Sequence, residues 1–297
     1  MRYVHLALAL ATLTLSAAPH AQEADTLTAE DGWVRDVTAS LSATQAAFRD
    51  WQEGGVNALA AAGQVDGAFD RLAGRVRLHH DARAVFGIVQ QDTLPVRKAD
   101  DQIRYAFSAE LRTGRLLRPS VAFSARSQLA PGYDVSPDSA DYPTLVVVPG
   151  RALRVSAFAA PALLTQSVGA TIRPVEGIVA RAGVGLKETV VGIARLRPLY
   201  GNRPDQAVRL QAGLDAELRV DRPVAQNVRA RALATAFQAI DQIGSVAPDL
   251  RGELSLLLRV NPWLQVTVDG AALYDADILE RVQLRQSLAV GLVLDVL

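Results

Sequence analysis

Residues 208–220 read V-R-L-Q-A-G-L-D-A-E-L-R-V, and their polarity alternates without a break. Val208, Leu210, Ala212, Leu214, Ala216, Leu218 and Val220 are apolar. Arg209, Gln211, Gly213, Asp215, Glu217 and Arg219 between them are polar or glycine. A helix of about 3.6 residues per turn would scatter those apolar side chains around its whole circumference. A strand gathers them on one face and the charges on the other. The run is longer than the roughly 5–6 residues usual for a strand. It also exceeds the roughly 9–11 tilted residues that cross a bilayer as β-structure.

The pattern recurs over residues 33–44, 72–86, 102–113, 117–129, 164–173, 178–190, 224–237, 250–260, 264–274 and 282–296. Residues 56–69 are alanine-rich and fit strand or helix. Turn signals punctuate the series: Thr113-Gly114-Arg115, Pro174, Asp221-Arg222-Pro223 and Asn261-Pro262-Trp263. Connections near 70, 114, 174, 222 and 262 are short, and those near 50, 94, 140, 198, 245 and 278 are longer. A rhythm of short turns on one side and longer loops on the other, with an even strand number, is that of a membrane barrel. The expected fold is all-β: a transmembrane up-and-down antiparallel β-barrel of about 12 strands. A soluble β-sandwich or lipocalin-like barrel also alternates. The length of the strands and the charges along their polar faces count against it, and the low aromatic content, 5%, counts for it. Interfacial aromatic girdles are expected to be sparse, with Trp33, Trp263, Tyr105 and Tyr274 as candidates.

Residues 1–21 read as a secretory signal. Arg2 gives a minimal basic region, 6–15 a short apolar core, and 16–21 small residues before cleavage near Ala21. Residues 22–32 are then a short N-terminal segment and 33–297 the barrel. No later window is apolar enough for a spanning helix, yet 49% of the chain is hydrophobic. That combination places the protein in the outer membrane of a Gram-negative envelope. Its contacts are then outer-membrane lipid, the barrel-assembly machinery during biogenesis, and small solutes. A formal net charge of zero gives no case for nucleic acid. Without cysteine there are no thiolate metal sites or disulfides.

The stretch Phe48-Arg49-Asp50-Trp51-Gln52-Glu53-Gly54-Gly55-Val56-Asn57 carries a phenylalanine, tryptophan and double-glycine signature. Phe158-Ala159-Ala160-Pro161, Ser167-Val168-Gly169-Ala170, Arg173-Pro174, Leu186-Lys187-Glu188-Thr189, Tyr200-Gly201 and Tyr274-Asp275-Ala276-Asp277 follow as further landmarks. Together they make the chain resemble the domain-of-unknown-function family 3078 of Gram-negative outer-membrane β-barrel proteins. The resemblance implies an outer-membrane barrel and brings no catalytic residues. The chain departs from the common barrel pattern by closing in Asp295-Val296-Leu297 rather than on an aromatic residue.

In a barrel the polar face lines the lumen. The pore-lining candidates are Arg75, Arg77, Arg104, Arg126, Arg181, Asp215, Glu217, Arg229, Arg231, Glu253 and Arg259. Inward arginines outnumber inward acids in this assignment, so the lumen is expected to be net basic. Two consequences stay open: ion pairs that fill a plugged structural or envelope barrel, or passive or facilitated passage of small anionic solutes, since rings of Arg select anions. A turn centred on Arg222 or Pro223 sets Asp215 opposite Arg229, and the turn at Gly114 sets Glu110 near Ser120. No enzyme is expected. The least favoured reading is a membrane-embedded hydrolase using His79, Asp81 and a neighbouring serine. Asp275 and Asp277 have the spacing of a calcium loop, but a solvated loop is much the favoured reading, and no metal or other cofactor is expected.

Overall fold

The computed structural model describes residues 32–46, 57–92 and 94–296. The signal segment and Phe48–Val56 of the family-like stretch lie outside the described residues. The strands among them are β1 (Trp33–Ala46), β2 (Ala58–Ala73), β3 (Val76–Gln91), β4 (Arg97–Leu111), β5 (Arg118–Ser127), β6 (Gly132–Asp134), β7 (Leu153–Ser156), β8 (Ala162–Ile172), β9 (Ile178–Val190), β10 (Val208–Ala225), β11 (Val228–Ala239), β12 (Asp249–Arg259), β13 (Leu264–Asp275) and β14 (Leu279–Asp295). Twelve of them close an antiparallel barrel in the order β1-β14-β13-β12-β11-β10-β9-β8-β5-β4-β3-β2. β6 and β7 pair separately, inside the 128–161 connection.

β10 shows how the alternation becomes a wall. Leu210, Leu214 and Leu218 are exposed, while Gln211, Gly213 and Asp215 between them are buried. Leu214 is 50% exposed and Asp215 only 7%. An apolar outer face around a closed sheet with a polar inside suits hydrocarbon, where the backbone can hydrogen-bond only within itself. β8 and β9 approach closely at paired glycines: a Cβ on Gly169 would lie 2.1 Å from the Ala182 carbonyl oxygen, and one on Gly183 2.3 Å from that of Val168.

Thr38 pairs with Asp295, so the described chain starts and finishes at one end of the barrel. At that end the connections are short: 74–75, 112–117, 173–177, 226–227 and 260–263. At the other end lie the last residue of β1 and the first of β2, and the connections 92–96, 128–161, 191–207, 240–248 and 276–278. The expected rhythm is present except at 92–96, which is no longer than 173–177, and at 276–278, where the Asp275 carboxylate accepts the Asp277 N–H at 3.0 Å and closes a tight Asx turn. The two longest described connections pack together. Ala157, Ala160, Val191 and Leu196 form an apolar core there, flanked by Leu145, Ile193, Leu199 and Tyr200. Tyr200 Oη donates to the Val155 carbonyl at 2.9 Å, and burial pushes its phenol pKa up.

Three boundaries differ from expectation. β2 is a full strand, its helix-like alanines notwithstanding, because both its neighbours pair along its length. β4 begins at Arg97, several residues before the alternation becomes clear. β10 runs through Pro223 to Ala225 and turns at 226–227. The proline, which has no N–H to give, is absorbed at a register shift between Pro223 and Ala225. Asp215 therefore pairs with Phe237, not Arg229, while Glu110 does pair with Ser120. One outer aromatic cluster spans β1, β3 and β4: His80 lies 5.5 Å from Trp33 and 4.9 Å from Phe107, and its Nδ1 is 2.7 Å from Tyr105 Oη.

Candidate functional site: the barrel lumen

The lumen has a filled side and an open side. On the filled side, inward charges are paired. Glu110, almost fully buried, holds Arg173 at 2.8 Å, Arg77 at 3.3 Å and Arg118 at 3.7 Å. Arg181 reaches Asp215 at 2.8 Å and Glu217 at 3.8 Å, and Glu217 also receives Arg219 at 2.9 Å. Arg104 pairs with Asp81 at 2.7 Å and Arg251 with Glu253 at 2.6 Å, a carboxylate that also feels the charges of Arg104 and Arg126. Lys187 donates to Asp249, lies 3.5 Å from Asp275 and sits over the Phe237 ring.

On the open side, a cavity of about 710 Å³ runs along β1, β2, β13 and β14. Its lining extends from Asn227, Arg259 and Asp295 at the short-turn end to Thr44, Ala60 and Asp100 toward the long-loop end. Ser40, Ser42, Ala62, Ser287, Ala289 and Gly291 supply small side chains to this wall. Its charges balance: Asp36, Asp66, Asp100, Asp269 and Asp295 against Arg83, Arg229, Arg231, Arg259 and Arg285. Several bridge the lumen between strands that are not neighbours. Arg285 on β14 meets Asp100 on β4 at 2.5 Å, and Arg83 on β3 lies 3.8 Å from Asp269 on β13. Arg231 on β11 lies 4.0 Å from Asp36 on β1.

The expected pore-lining residues divide accordingly. Arg229, Arg231 and Arg259 line the cavity, with Asp221 held by Arg229 at 2.5 Å and Asp295 by Arg259 at 2.9 Å. Arg77, Arg104, Arg126, Arg181, Asp215, Glu217 and Glu253 belong to the filled side. Arg75 is a correction: it lies exposed in the 74–75 turn, outside the lumen. The expected excess of inward cations is a second correction. Asp36, Asp66 and Asp100, absent from the expected lining, also face the cavity and help to balance the arginines of the open side.

The hydrolase reading changes partner. His79 Nδ1 lies 3.1 Å from Asp70, while Asp81 is taken by Arg104. Asp70, His79 and Ser108 fall on one cross-strand row. Among the described residues, His79 Nε2 is nevertheless buried without a hydrogen-bond partner, and no hydroxyl takes the contact that would activate a nucleophile. The carboxylates of Asp249, Asp275 and Asp277 come within 4.8 Å of one another, the spacing of a cation site. Lys187 already sits on the first two, and Arg209 holds Asp277 at 2.7 Å.

A closed sheet, an apolar exterior and a charged lumen define a β-barrel of the outer-membrane class. Residues 43–133 match the family model described as "Protein of unknown function (DUF3078)", which bears out the resemblance over that stretch. No curated protein matches the sequence. Among solved structures, the translocator domain of autotransporter NalP from Neisseria meningitidis is similar at 9% identity, covering 88% of this chain and 87% of that one, with a TM-score of 0.37. The Pseudomonas putida toluene transporter TodX is similar at 12% identity over 89% of each chain, with a TM-score of 0.30. OmpT of Vibrio cholerae is similar at 9% identity, covering 90% of this chain and 98% of that one, with a TM-score of 0.28. At these identities the likeness concerns fold and says nothing of cargo.

Proposed function

We propose that the protein is an outer-membrane conduit for small polar solutes, with its short turns toward the periplasm and no enzymatic role. The cavity of about 710 Å³ along β1, β2, β13 and β14 carries this reading. It falls within the roughly 300–1,000 Å³ of small-molecule sites, and its lining reaches toward both ends of the barrel. Equal numbers of aspartates and arginines on that lining support weak ion selectivity and remove the ground for an anionic preference. Planar-bilayer recording of the refolded chain in a salt gradient tests this. Discrete conductance steps with a reversal potential near zero are expected. Insertion without conductance would overturn the conduit and leave a filled, envelope-structural barrel.

A further inference from the structure

The barrel closes unevenly. β1 and β14 pair only from Thr38↔Asp295 to Ser42↔Gly291. Every other pair of neighbours in the barrel is matched over at least eight positions. β1 continues to Ala46 and β14 begins at Leu279. Between the described residues of these two strands, no pairing exists on the long-loop side of Ser42 and Gly291. Burial changes at the same place. Along β10 exposed and buried positions alternate, but Leu284–Leu288 are exposed on both faces of β14, as are Ala43–Ala46 on β1. The cavity borders the gap: its lining includes Ala43 and Thr44 of β1 and Ser287, Leu288 and Ala289 of β14.

We propose that this gap is a lateral portal between lumen and bilayer, and that the cavity behind it binds single-chain amphiphiles. This deepens the conduit reading and rests on the same cavity. Ala43, Leu288 and Ala289 give the portal an apolar border. Deeper in stand Arg83, Asp66 and Asp269, with Arg83 3.9 Å from Asp66 and 3.8 Å from Asp269. An apolar mouth leading to a charged interior matches a molecule with an apolar chain and a polar head. A hydrophilic solute gains nothing from an opening onto lipid. A wholly apolar one would have to desolvate Arg83 and its acids, at a cost its own groups cannot offset. The edge itself favours the amphiphile. Unpaired backbone N–H and C=O groups are costly against hydrocarbon, and a passing head group can hydrogen-bond to them while its chain stays in the bilayer.

The chain has no cysteine, so a pair can be placed cleanly. Ala43 and Val290 are the next positions in register after Ser42 and Gly291, and Ala43→Cys with Val290→Cys closes the seam when oxidised. A short bismaleimide does the same should the disulfide not form. The protein is reconstituted in phosphatidylcholine vesicles and titrated with dansylated undecanoic acid, and conductance is recorded in parallel. Saturable binding is expected with the seam free. About tenfold weaker binding is expected with it closed, with conductance retained. Ser287→Trp, which blocks the mouth without a crosslink, should weaken binding similarly. Affinity unchanged by closure and by Ser287→Trp would overturn the portal and leave the conduit standing. Crosslinking between copies through these cysteines would also overturn it, because a second chain would then cover the seam. Binding that depends on the open seam, in a protein that never conducts, would sustain the portal and reject the conduit.

Discussion

The walls built by β8–β10 and by β14–β1–β2 share one backbone pattern and differ in what they point inward. On the first, Arg181, Lys187, Arg209, Asp215 and Glu217 are long, charged and paired. On the second, Ser40, Ser42, Ala62, Ser287 and Ala289 are short. Alternation decides that a strand joins the barrel, and the size and charge of the inward set decide whether the lumen beside it is solid or hollow. Charges removed from water must be matched, because a buried ion left alone costs far more than the pair returns. The charged wall is therefore intolerant of loss, and the small-residue wall tolerates change while governing what passes.

The largest effect is expected at the hub of the filled side. Glu110→Gln removes the carboxylate shared by Arg77, Arg118 and Arg173. Three guanidinium groups in a buried setting then lose their common anion. Destabilisation of about 3–5 kcal/mol is expected, the range for breaking a buried pair, read from urea unfolding in detergent micelles. A loss within experimental error would mean that water reaches these groups and that the side is not filled.

Next come matched insertions of bulk. Ser120 is buried and accepts a hydrogen bond from Thr171 Oγ1 at 2.9 Å. Ser120→Trp should cost at least about 1–3 kcal/mol through overpacking. Ser287→Trp, on the exposed and open side, should leave unfolding nearly unchanged and reduce conductance severalfold. Equal stability losses for the two would erase the distinction between the walls.

The architecture was legible in the sequence because one variable, polarity with a period of two, decides it. What escaped had specific causes. Asp66 hid in β2, whose alanines at 60, 61 and 62 blur the alternation. Asp100 hid in a polar run, and Asp221 beside Pro223, which signals a turn that the chain makes later. Those omissions made the lumen look basic. The bridges Arg285–Asp100 and Arg83–Asp269 join strands that are not neighbours in the barrel, and no local period encodes them. The seam is hidden for a similar reason. Residues 282–296 alternate too, with breaks at Gln286, Ala289 and Val293, and whether an edge is paired depends on the neighbouring strand.

A smaller effect is expected where Arg285 on β14 meets Asp100 on β4 across the lumen. Arg285 and Asp100 are 44% and 28% exposed at the side chain, so solvent screens them and their pair contributes at most about 1 kcal/mol. Arg285→Ala should barely move unfolding and should raise single-channel conductance by removing a bridge across the lumen. A fall in conductance would mean that the arginine conducts ions rather than obstructs them.

The smallest effect concerns the filled side's outer rim. Burial alone would raise the pKa of Asp277, but Arg209 at 2.7 Å and a hydrogen bond from Gln211 Nε2 at 3.3 Å prevail and hold it below the usual carboxylate range. A carboxylate depressed on folding adds stability above its unfolded pKa and loses it as pH falls through the folded value. Arg209 also lies against Gly201 in the 191–207 connection, so the pair ties that connection to the barrel wall. Asp277→Asn should flatten the acid limb of the stability profile below about pH 4 and speed amide exchange in 191–207 at neutral pH, with conductance unchanged. Faster exchange in β14 instead would place the loosening at the seam and make the two sides of the lumen mechanically one.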